Sequence, residues 1–129
     1  MTTSSTGVLG AIVQHPIDRI EFLDANPAVT RVVAVCGEIT ALCPVTAQPD
    51  LYSLQIAYNV ADGRVIESKS LKLFLWRYRD RGISCEDLAA EVATLLAQQY
   101  GAPVDVVATQ QPRGGIVLEA HAHGTPTQP

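Results

Sequence analysis

The sequence lacks the features of membrane proteins and of disulfide-stabilised secreted proteins. Although 47% of its 129 residues are hydrophobic, no apolar run is long enough to cross a bilayer. Its three cysteines are an odd number without paired spacing, which predicts reduced thiols and a cytoplasmic protein. The N-terminus has no basic segment before its apolar residues, so a signal peptide is not expected. The length fits one domain with its own core.

Positive charge is scarce and concentrated in one segment. Nine Lys and Arg against thirteen Asp and Glu give a net charge of −4, which argues against a general role in binding nucleic acid. Five of the nine cations lie within thirteen residues: Lys69, Lys72, Arg77, Arg79 and Arg81. This segment is either the solvated face of a helix or a local anion site in an acidic protein.

The two common nucleotide-binding loops are also absent. Neither G-x-G-x-x-G nor G-x-x-x-x-G-K occurs, so any nucleotide is bound by another geometry. His121 and His123 form an H-x-H pattern with no further metal ligand spaced nearby. We interpret both histidines as tail residues, and no metal site is predicted.

Hydrophobic periodicity predicts two pairs of strands around a pair of helices. Strands are expected over 30–40 and 51–60, and two more begin at Val104 and Gly115. Between the pairs, one apolar stripe of a helix is formed by Leu71, Phe74, Leu75 and Tyr78. A second helix begins at the capping box of residues 84–87, and Gly101 ends it.

The resulting β-β-α-α-β-β order predicts an α+β fold, a four-stranded antiparallel sheet with two helices on one face. Such a sheet has two open edges, so we expect a homo-oligomer. We predict residues 1–28 as a weakly ordered lead-in, 29–122 as the folded domain and 123–129 as a flexible tail.

One loop, "ALCPVTAQPD", combines a cysteine, two prolines and an aspartate. Free cysteine is more often a small buried hydrophobe than a nucleophile, and that explanation suffices for Cys36. Cys43 differs because it lies at a strand end, where the apolar run gives way to polar residues. Pro44 and Pro49 restrict the loop, which would hold the thiol and the Asp50 carboxyl at a fixed separation. Nucleophilic catalysis with acid–base assistance requires such an arrangement.

Two further groups of residues could contact a ligand. Glu86, in the first turn of the second helix, either complements the helix dipole or binds the N–H edge of a purine-like ligand. The same dipole predicts a lowered pKa for the Cys85 thiol. Lys69 and Lys72 share a helix face, and "PRGG" brings a cation and two permissive glycines together, a combination suited to a phosphate-bearing cofactor.

Three segments, "ITALCPVTAQPD", "VIESKSLKLFLWRYRDRG" and "PRGGI", resemble in their order and separation the NADPH-dependent 7-cyano-7-deazaguanine (preQ0) reductases. The resemblance runs from about Thr30 to about Leu118. It implies the tunnelling fold and, for single-module members, barrel-like oligomers with sites between subunits.

The resemblance also implies roles for single residues. Cys43 would attack the nitrile carbon to give a thioimide, Asp50 would move protons, and two NADPH would complete reduction to 7-aminomethyl-7-deazaguanine (preQ1) for queuosine biosynthesis. The implied substrate-binding residues are Glu67, Ser68, Cys85 and Glu86. The implied NADPH-binding residues are Lys69, Lys72, Arg113 and Gly114.

The sequence departs from the family pattern at two positions. Ser84-Cys85-Glu86 stands where the family usually has Phe-His-Glu, and a thiol donates hydrogen bonds only weakly. Ala47 stands in place of glycine, and alanine is strained if that position needs a positive φ.

Two alternative hypotheses remain open. A related enzyme could add ammonia or water to the same nitrile without hydride; the missing histidine favours it, and the retained Lys69, Lys72 and Arg113 oppose it. A non-catalytic member could bind a deazapurine only, which the intact Cys43 and Asp50 oppose. Whether Cys85 replaces the histidine, pairs with Cys43 in a disulfide or marks another reaction is equally open.

Overall fold

The computed structural model describes residues 10–127, apart from the side chain of Arg113. The strands are β1 (Phe22–Asp24), β2 (Arg31–Leu42), β3 (Pro49–Asn59), β4 (Arg64–Ile66), β5 (Val104–Arg113) and β6 (Ile116–Gly124). The helices are α1 (Ser68–Leu75), continued by a 3₁₀ turn at Trp76–Tyr78, and α2 (Cys85–Tyr100). Among the described residues, no helix is both long and apolar enough to span a bilayer.

The predicted four-stranded antiparallel sheet is confirmed, in the order β2-β3-β5-β6. Alternate residues of β3 (Asp50, Tyr52, Leu54 and Ile56) are buried, as expected for a sheet with one covered face. The same core contains Leu71 and Phe74 from α1 and many residues of α2. On the opposite face of the sheet, Val35 of β2 is 74% exposed.

The ends of α2 agree with the sequence prediction because both depend on local chemistry. The Ser84 hydroxyl accepts a hydrogen bond from the Asp87 backbone N–H at 3.1 Å, which confirms the capping residue. Gly101 ends the helix in the left-handed conformation, with φ 83°.

A small second sheet was not predicted as such. β1 pairs with β4, Phe22 opposite Ile66, and Ile20 is 4% exposed in the core. The segment predicted as a weakly ordered lead-in therefore contributes a strand and a core residue. A strand of three residues is too short to show an alternation of apolar and polar residues, so hydrophobic periodicity could not predict β1.

Strand β6 extends beyond the predicted boundary at residue 122. His123 lies 2.6 Å from the Asp105 carboxylate on β5, and His121 lies 3.3 Å from Glu119. Both histidines belong to an edge strand, so their interpretation as tail residues was wrong. At the strand end, a Cβ on Gly124 would lie 2.1 Å from the Ala93 carbonyl oxygen, so only glycine lets β6 approach α2 this closely.

Candidate active site

Cys43 begins the loop that joins β2 to β3. Its backbone N–H donates to the Gln48 carbonyl at 2.8 Å, and its own carbonyl accepts from the Ala47 N–H at 2.9 Å. These bonds close a tight loop over residues 44–47. Ala47 has φ 60°, so the position does require the left-handed conformation that disfavours alanine.

Backbone hydrogen bonds bring the start of α2 next to this loop. The Leu42 N–H donates to the Arg81 carbonyl at 2.8 Å, and the Ile83 N–H donates to the Leu42 carbonyl at 3.0 Å. The linker before α2 therefore runs beside the residue that precedes Cys43. As a result, Cys85 and Glu86, one and two residues after the helix cap, lie close to the loop in the fold.

The Cys43 thiol is partly exposed and chemically activated. Hydrogen bonds from the Thr46 hydroxyl and from the backbone of Thr46 and Val45 lower the pKa of the Cys43 thiol, while the negative charge of Asp50 opposes this shift. A thiolate stabilised in this way is the reactive form of cysteine. The loop thus favours the nucleophilic thiolate form of Cys43.

Asp50 lies on β3, opposite Ala41, and is 4% exposed. Because Gln48 pairs with Cys43, Asp50 is the diagonal neighbour of Cys43 in the hairpin, where Cα atoms are typically ~7–8 Å apart. The structure therefore brings the predicted nucleophile and the predicted acid together. Their fixed spacing comes from strand register as well as from the prolines.

Cys85 is a core residue, and its predicted low pKa was wrong. Its side chain is 1% exposed, and its Sγ donates to the Ala108 carbonyl of β5 at 3.5 Å. Burial, reinforced by the negative charge of Glu86, raises the pKa of the Cys85 thiol. Loss of hydration outweighs the helix dipole here. Cys36, Cys43 and Cys85 are all free thiols.

Glu86 lies in the first turn of α2, whereas Glu67 is the residue that caps the N-terminus of α1. Glu86 is exposed in the second position of α2. Glu67 is buried and caps α1: its carboxylate accepts from the Lys69 N–H at 2.5 Å and from the Ser70 N–H at 3.0 Å. This cap was not predicted, because glutamate is not among the preferred capping residues. Substrate binding by Glu67 stays a prediction.

A groove of about 1050 Å³ separates α1 from the edge strand β2. Its polar lining is formed by Ser68, Lys69 and Lys72 on α1, Glu38 and Thr40 on β2, and Arg79. Lys69 reaches the Ala11 carbonyl through its Nζ. The groove therefore collects Lys69 and Lys72, two of the predicted cofactor-binding cations, and their binding of a cofactor stays a prediction.

The last predicted cofactor-binding residues lie elsewhere. The turn between β5 and β6 contains Gly114 and Gly115, both with positive φ, 58° and 82°. Because β5 runs antiparallel to β3, this turn lies at the same end of the sheet as the Cys43 loop. It does not line the groove beside α1. The prediction for Arg113 concerns a side chain outside the described part of the chain.

Tyr52 lies beside the candidate site, although its sequence pattern did not single it out. It follows Asp50 on the inner face of β3 and is 1% exposed. Burial, and then the negative charges of Asp50, Cys85, Cys43 and Glu86, raise the pKa of Tyr52 to about 12. The alternation of β3, extended back to Asp50, would have placed Tyr52 beside the acid.

The chain is similar to several known proteins that carry one enzyme name. The family model described as "QueF-like protein" matches residues 49–128, which include Asp50. The NADPH-dependent 7-cyano-7-deazaguanine reductase of Bdellovibrio bacteriovorus is 36% identical over 107 residues, covering 79% of this chain and 61% of the relative. The enzyme of the same name from Bacteroides thetaiotaomicron is 38% identical over 92 residues, 68% of this chain and 58% of the relative. The chain therefore spans little more than half the length of these relatives.

A solved structure supports the fold. The crystal structure of the archaeosine synthase QueF-Like in the apo form superposes with a TM-score of 0.59 and 22% sequence identity, covering 81% of this chain and 99% of that chain. At this identity the likeness concerns the fold, and it confirms the predicted α+β tunnelling architecture. Since the family model matches well over half of the chain, the protein belongs to the QueF-like family, as its resemblance to the preQ0 reductases predicted.

Proposed function

We propose that the protein is an NADPH-dependent nitrile reductase that converts preQ0 to preQ1 in queuosine biosynthesis. The observation that carries this proposal is the activated Cys43 thiol held beside the buried Asp50. A thiol of lowered pKa is suited to attack an electrophilic carbon, and a neighbouring carboxyl is suited to move the proton that follows.

The chain's own residues account for formation of the covalent intermediate. The Cys43 sulfur bonds to the nitrile carbon, one π bond of the nitrile breaks, and the nitrogen gains a proton. Asp50 moves the proton that Cys43 loses. The product is a thioimide in which S–H has added across the triple bond, so this step needs no oxidant or reductant.

Substrate recognition is assigned to the beginnings of the two helices. Glu86 is exposed on the first turn of α2, where the helix dipole favours a carboxylate that can accept from the N–H edge of the deazaguanine. Ser68 is exposed at the start of α1. Glu67 and Cys85 complete the predicted set; as the cap of α1 and a core thiol they would act mainly by shaping the site.

The groove beside α1 fits an anionic dinucleotide in size and charge. Its volume of about 1050 Å³ is at the upper end of the ~300–1,000 Å³ range of small-molecule sites. Lys69 and Lys72 would meet phosphate groups there, and Arg113 and Gly114 would contribute from the β5–β6 turn. NADPH, when bound, supplies the reducing equivalents for the conversion of nitrile to amine.

Association of several copies would complete these sites. The sheet ends in two edge strands, β2 and β6, and edge strands are prone to pair with another chain. Exposed apolar side chains on the strands are Val33, Val35, Leu51, Ile116, Val117 and Leu118. We propose a cytoplasmic homo-oligomer with sites between subunits and without direct contact to nucleic acid or membrane.

Intact mass spectrometry of the protein with preQ0 tests this function. We expect an adduct of the ligand's mass that disappears when NADPH is added, with two NADPH consumed per nitrile. Cys43→Ala abolishes the adduct. Cys36→Ala, which removes a partly buried thiol on the preceding strand β2, leaves the adduct intact. Ligand binding without any adduct in the native chain would contradict both catalytic hypotheses and leave a deazapurine-binding protein.

Ammonia addition is the second candidate function. The family usually has a histidine where this chain has Cys85. The Cys85 thiol is buried and its pKa is raised, so it is a poor proton donor, and the loss of the histidine favours a reaction without hydride. An adduct that persists with NADPH but clears with ammonia would move the assignment to an amidine-forming enzyme.

A charge substitution in the groove separates the two functions. Lys72→Ala should raise the KM for NADPH roughly 10-fold or more, because a hydrogen bond to a charged group contributes about 1.5–3 kcal/mol. Adduct formation with preQ0 alone should be unchanged. Arg77→Ala is the matched control, since Arg77 belongs to the same cationic segment but packs over the Phe74 ring outside the groove. Equal NADPH affinity in both variants would show that the groove does not bind the cofactor.

A further inference from the structure

The Tyr52 hydroxyl is a buried polar group that the proposed mechanism does not use. Among the residues that the structure describes, none forms a hydrogen bond with it. Buried hydroxyls are normally paired. Of the other three core tyrosines, Tyr58 accepts from the Ile66 N–H at 2.9 Å and Tyr100 donates to the Arg64 carbonyl at 2.8 Å. The Tyr78 hydroxyl, like that of Tyr52, has no hydrogen-bond partner among the described residues, but it interacts with Glu91 of α2. Tyr52 therefore retains an unused donor in the interior.

The position of Tyr52 places that donor in the site. Tyr52 and Asp50 are successive inward residues of β3, about 7 Å apart along the strand. Across the sheet, Tyr52 pairs with Gln110 on β5, two residues beyond Ala108, whose carbonyl accepts from the Cys85 thiol. Tyr52 thus lies between the Asp50 carboxyl and the core below the start of α2.

The shape of the reacting group favours an inward nitrogen. A nitrile is a narrow, linear group, and the thiol that would attack its carbon is partly exposed, whereas Asp50 and Tyr52 are both buried. With its carbon at Cys43, a nitrile that enters from solvent would direct its nitrogen toward these deeper residues. Cys85 cannot serve the nitrogen as well, because its thiol already donates to a backbone carbonyl.

We propose that the Tyr52 hydroxyl donates the proton, or the hydrogen bond that precedes its transfer, to the nitrile nitrogen when Cys43 attacks. This inference rests on the proposed function and assigns the acid of its first step. The sulfur–carbon bond forms, the released π electron pair becomes a bond to the Tyr52 proton, and the phenolate recovers the proton of the Cys43 thiol through Asp50. The net reaction is still addition of S–H across the triple bond.

The ionisation state of Tyr52 suits a donor. Its raised pKa keeps the phenol protonated throughout the neutral range. The anionic nitrogen that forms during thiolate attack is a far stronger base, so it can take a proton from so weak an acid. Burial, and then the acidic groups around the ring (Asp50, Cys85, Cys43 and Glu86), raise this pKa and oppose premature loss of the proton.

The test compares Tyr52→Phe with Tyr58→Phe, a second inward tyrosine roughly 20 Å further along the same strand. The rate of adduct formation with preQ0 is measured without NADPH. We expect Tyr52→Phe to slow it about 100-fold, the lower range for loss of a general acid, and Tyr58→Phe to leave it unchanged. In both variants, alkylation of Cys43 by iodoacetamide should keep its native rate, since the thiol itself is untouched.

Two results would overturn the inference. Adduct formation at the native rate in Tyr52→Phe would show that the hydroxyl is not the donor, and parallel slowing of alkylation would show that Tyr52 only supports the Cys43 loop. If Tyr52→Phe does not fold, site-specific 3,5-difluorotyrosine at position 52 keeps the ring and makes the hydroxyl more acidic. An increased adduct rate at unchanged melting temperature is then expected, and an unchanged rate overturns the inference. No adduct in the native chain would instead refute the proposed function itself.

Discussion

The Cys43 hairpin and the corner formed by β1, β4 and the end of α2 differ in how they engage their tyrosine hydroxyls. In the corner, the Tyr100 hydroxyl accepts from the Ala61 N–H at 2.7 Å and donates to the Arg64 carbonyl at 2.8 Å. The Arg64 guanidinium lies 4.1 Å from the Phe22 ring centroid. In the hairpin, Ala47 is held in a left-handed conformation, and the Tyr52 hydroxyl has no hydrogen-bond partner among residues 10–127.

This difference separates residues that stabilise the fold from residues that prepare a site. Backbone strain and buried polar groups without partners destabilise a protein, and they persist where the surrounding structure holds them in place. Near the activated Cys43 thiol and Asp50, the strained Ala47 and the Tyr52 hydroxyl occur together, although a buried nitrogen without a partner among the described residues, Arg64 Nε, also lies in the corner. The corner instead uses its polar groups to bind two short strands to a helix.

The largest expected effect is the difference in reactivity between the Cys43 thiol and the two more buried thiols, Cys36 and Cys85. Hydrogen bonds lower the pKa of Cys43, whereas burial raises the pKa of both Cys36 and Cys85. Alkylation of Cys43 should therefore reach its maximal rate at a lower pH, because its thiolate forms first. At neutral pH we expect iodoacetamide to modify Cys43 ~10-fold or more faster than either other cysteine. Peptide mass spectrometry measures the three rates in one sample, and equal rates would contradict the assignment of Cys43 as nucleophile.

Removal of a tyrosine hydroxyl should affect stability in opposite ways in the two regions. Tyr100→Phe leaves the partly buried Ala61 N–H and Arg64 carbonyl without this partner, so we expect a loss of about 1–3 kcal/mol in the free energy of unfolding. Tyr52→Phe removes a hydroxyl without a partner and should leave stability equal or increased. Urea denaturation measures both variants. A large loss in Tyr52→Phe would mean that the hydroxyl is paired in the folded protein.

The smallest expected effect is the change in the free energy of unfolding when the strained Ala47 is replaced by glycine. Ala47→Gly relieves a left-handed conformation that disfavours alanine by roughly 1–2 kcal/mol, but it also adds chain entropy of about 0.5–1 kcal/mol to the unfolded state. We expect a net stabilisation below about 1 kcal/mol. Ala90→Gly, exposed within α2, is the matched control and should destabilise by about 1 kcal/mol. If both substitutions destabilise equally, Ala47 is not strained.

Much of the fold follows from local features of the sequence. The alternation in β3 and the Ser84 cap and Gly101 terminus of α2 each depend on residues close in the chain. The strand β1 and the extension of β6 through His123 depend on partners far away in sequence, and short segments show no periodicity of their own. For this reason both were missed.

The sequence by itself determined the candidate nucleophile and acid, the order of the main elements and the family resemblance, because these depend on residue type and spacing. Only the tertiary structure decided how those residues behave. Burial against β5 reversed the pKa expected for Cys85, capping occupied the Glu67 carboxylate, and strand register placed Tyr52 beside Asp50. A pKa shift or an unpaired hydrogen-bond donor depends on the solvent and the partners around a side chain after folding. The linear order of residues does not specify those surroundings.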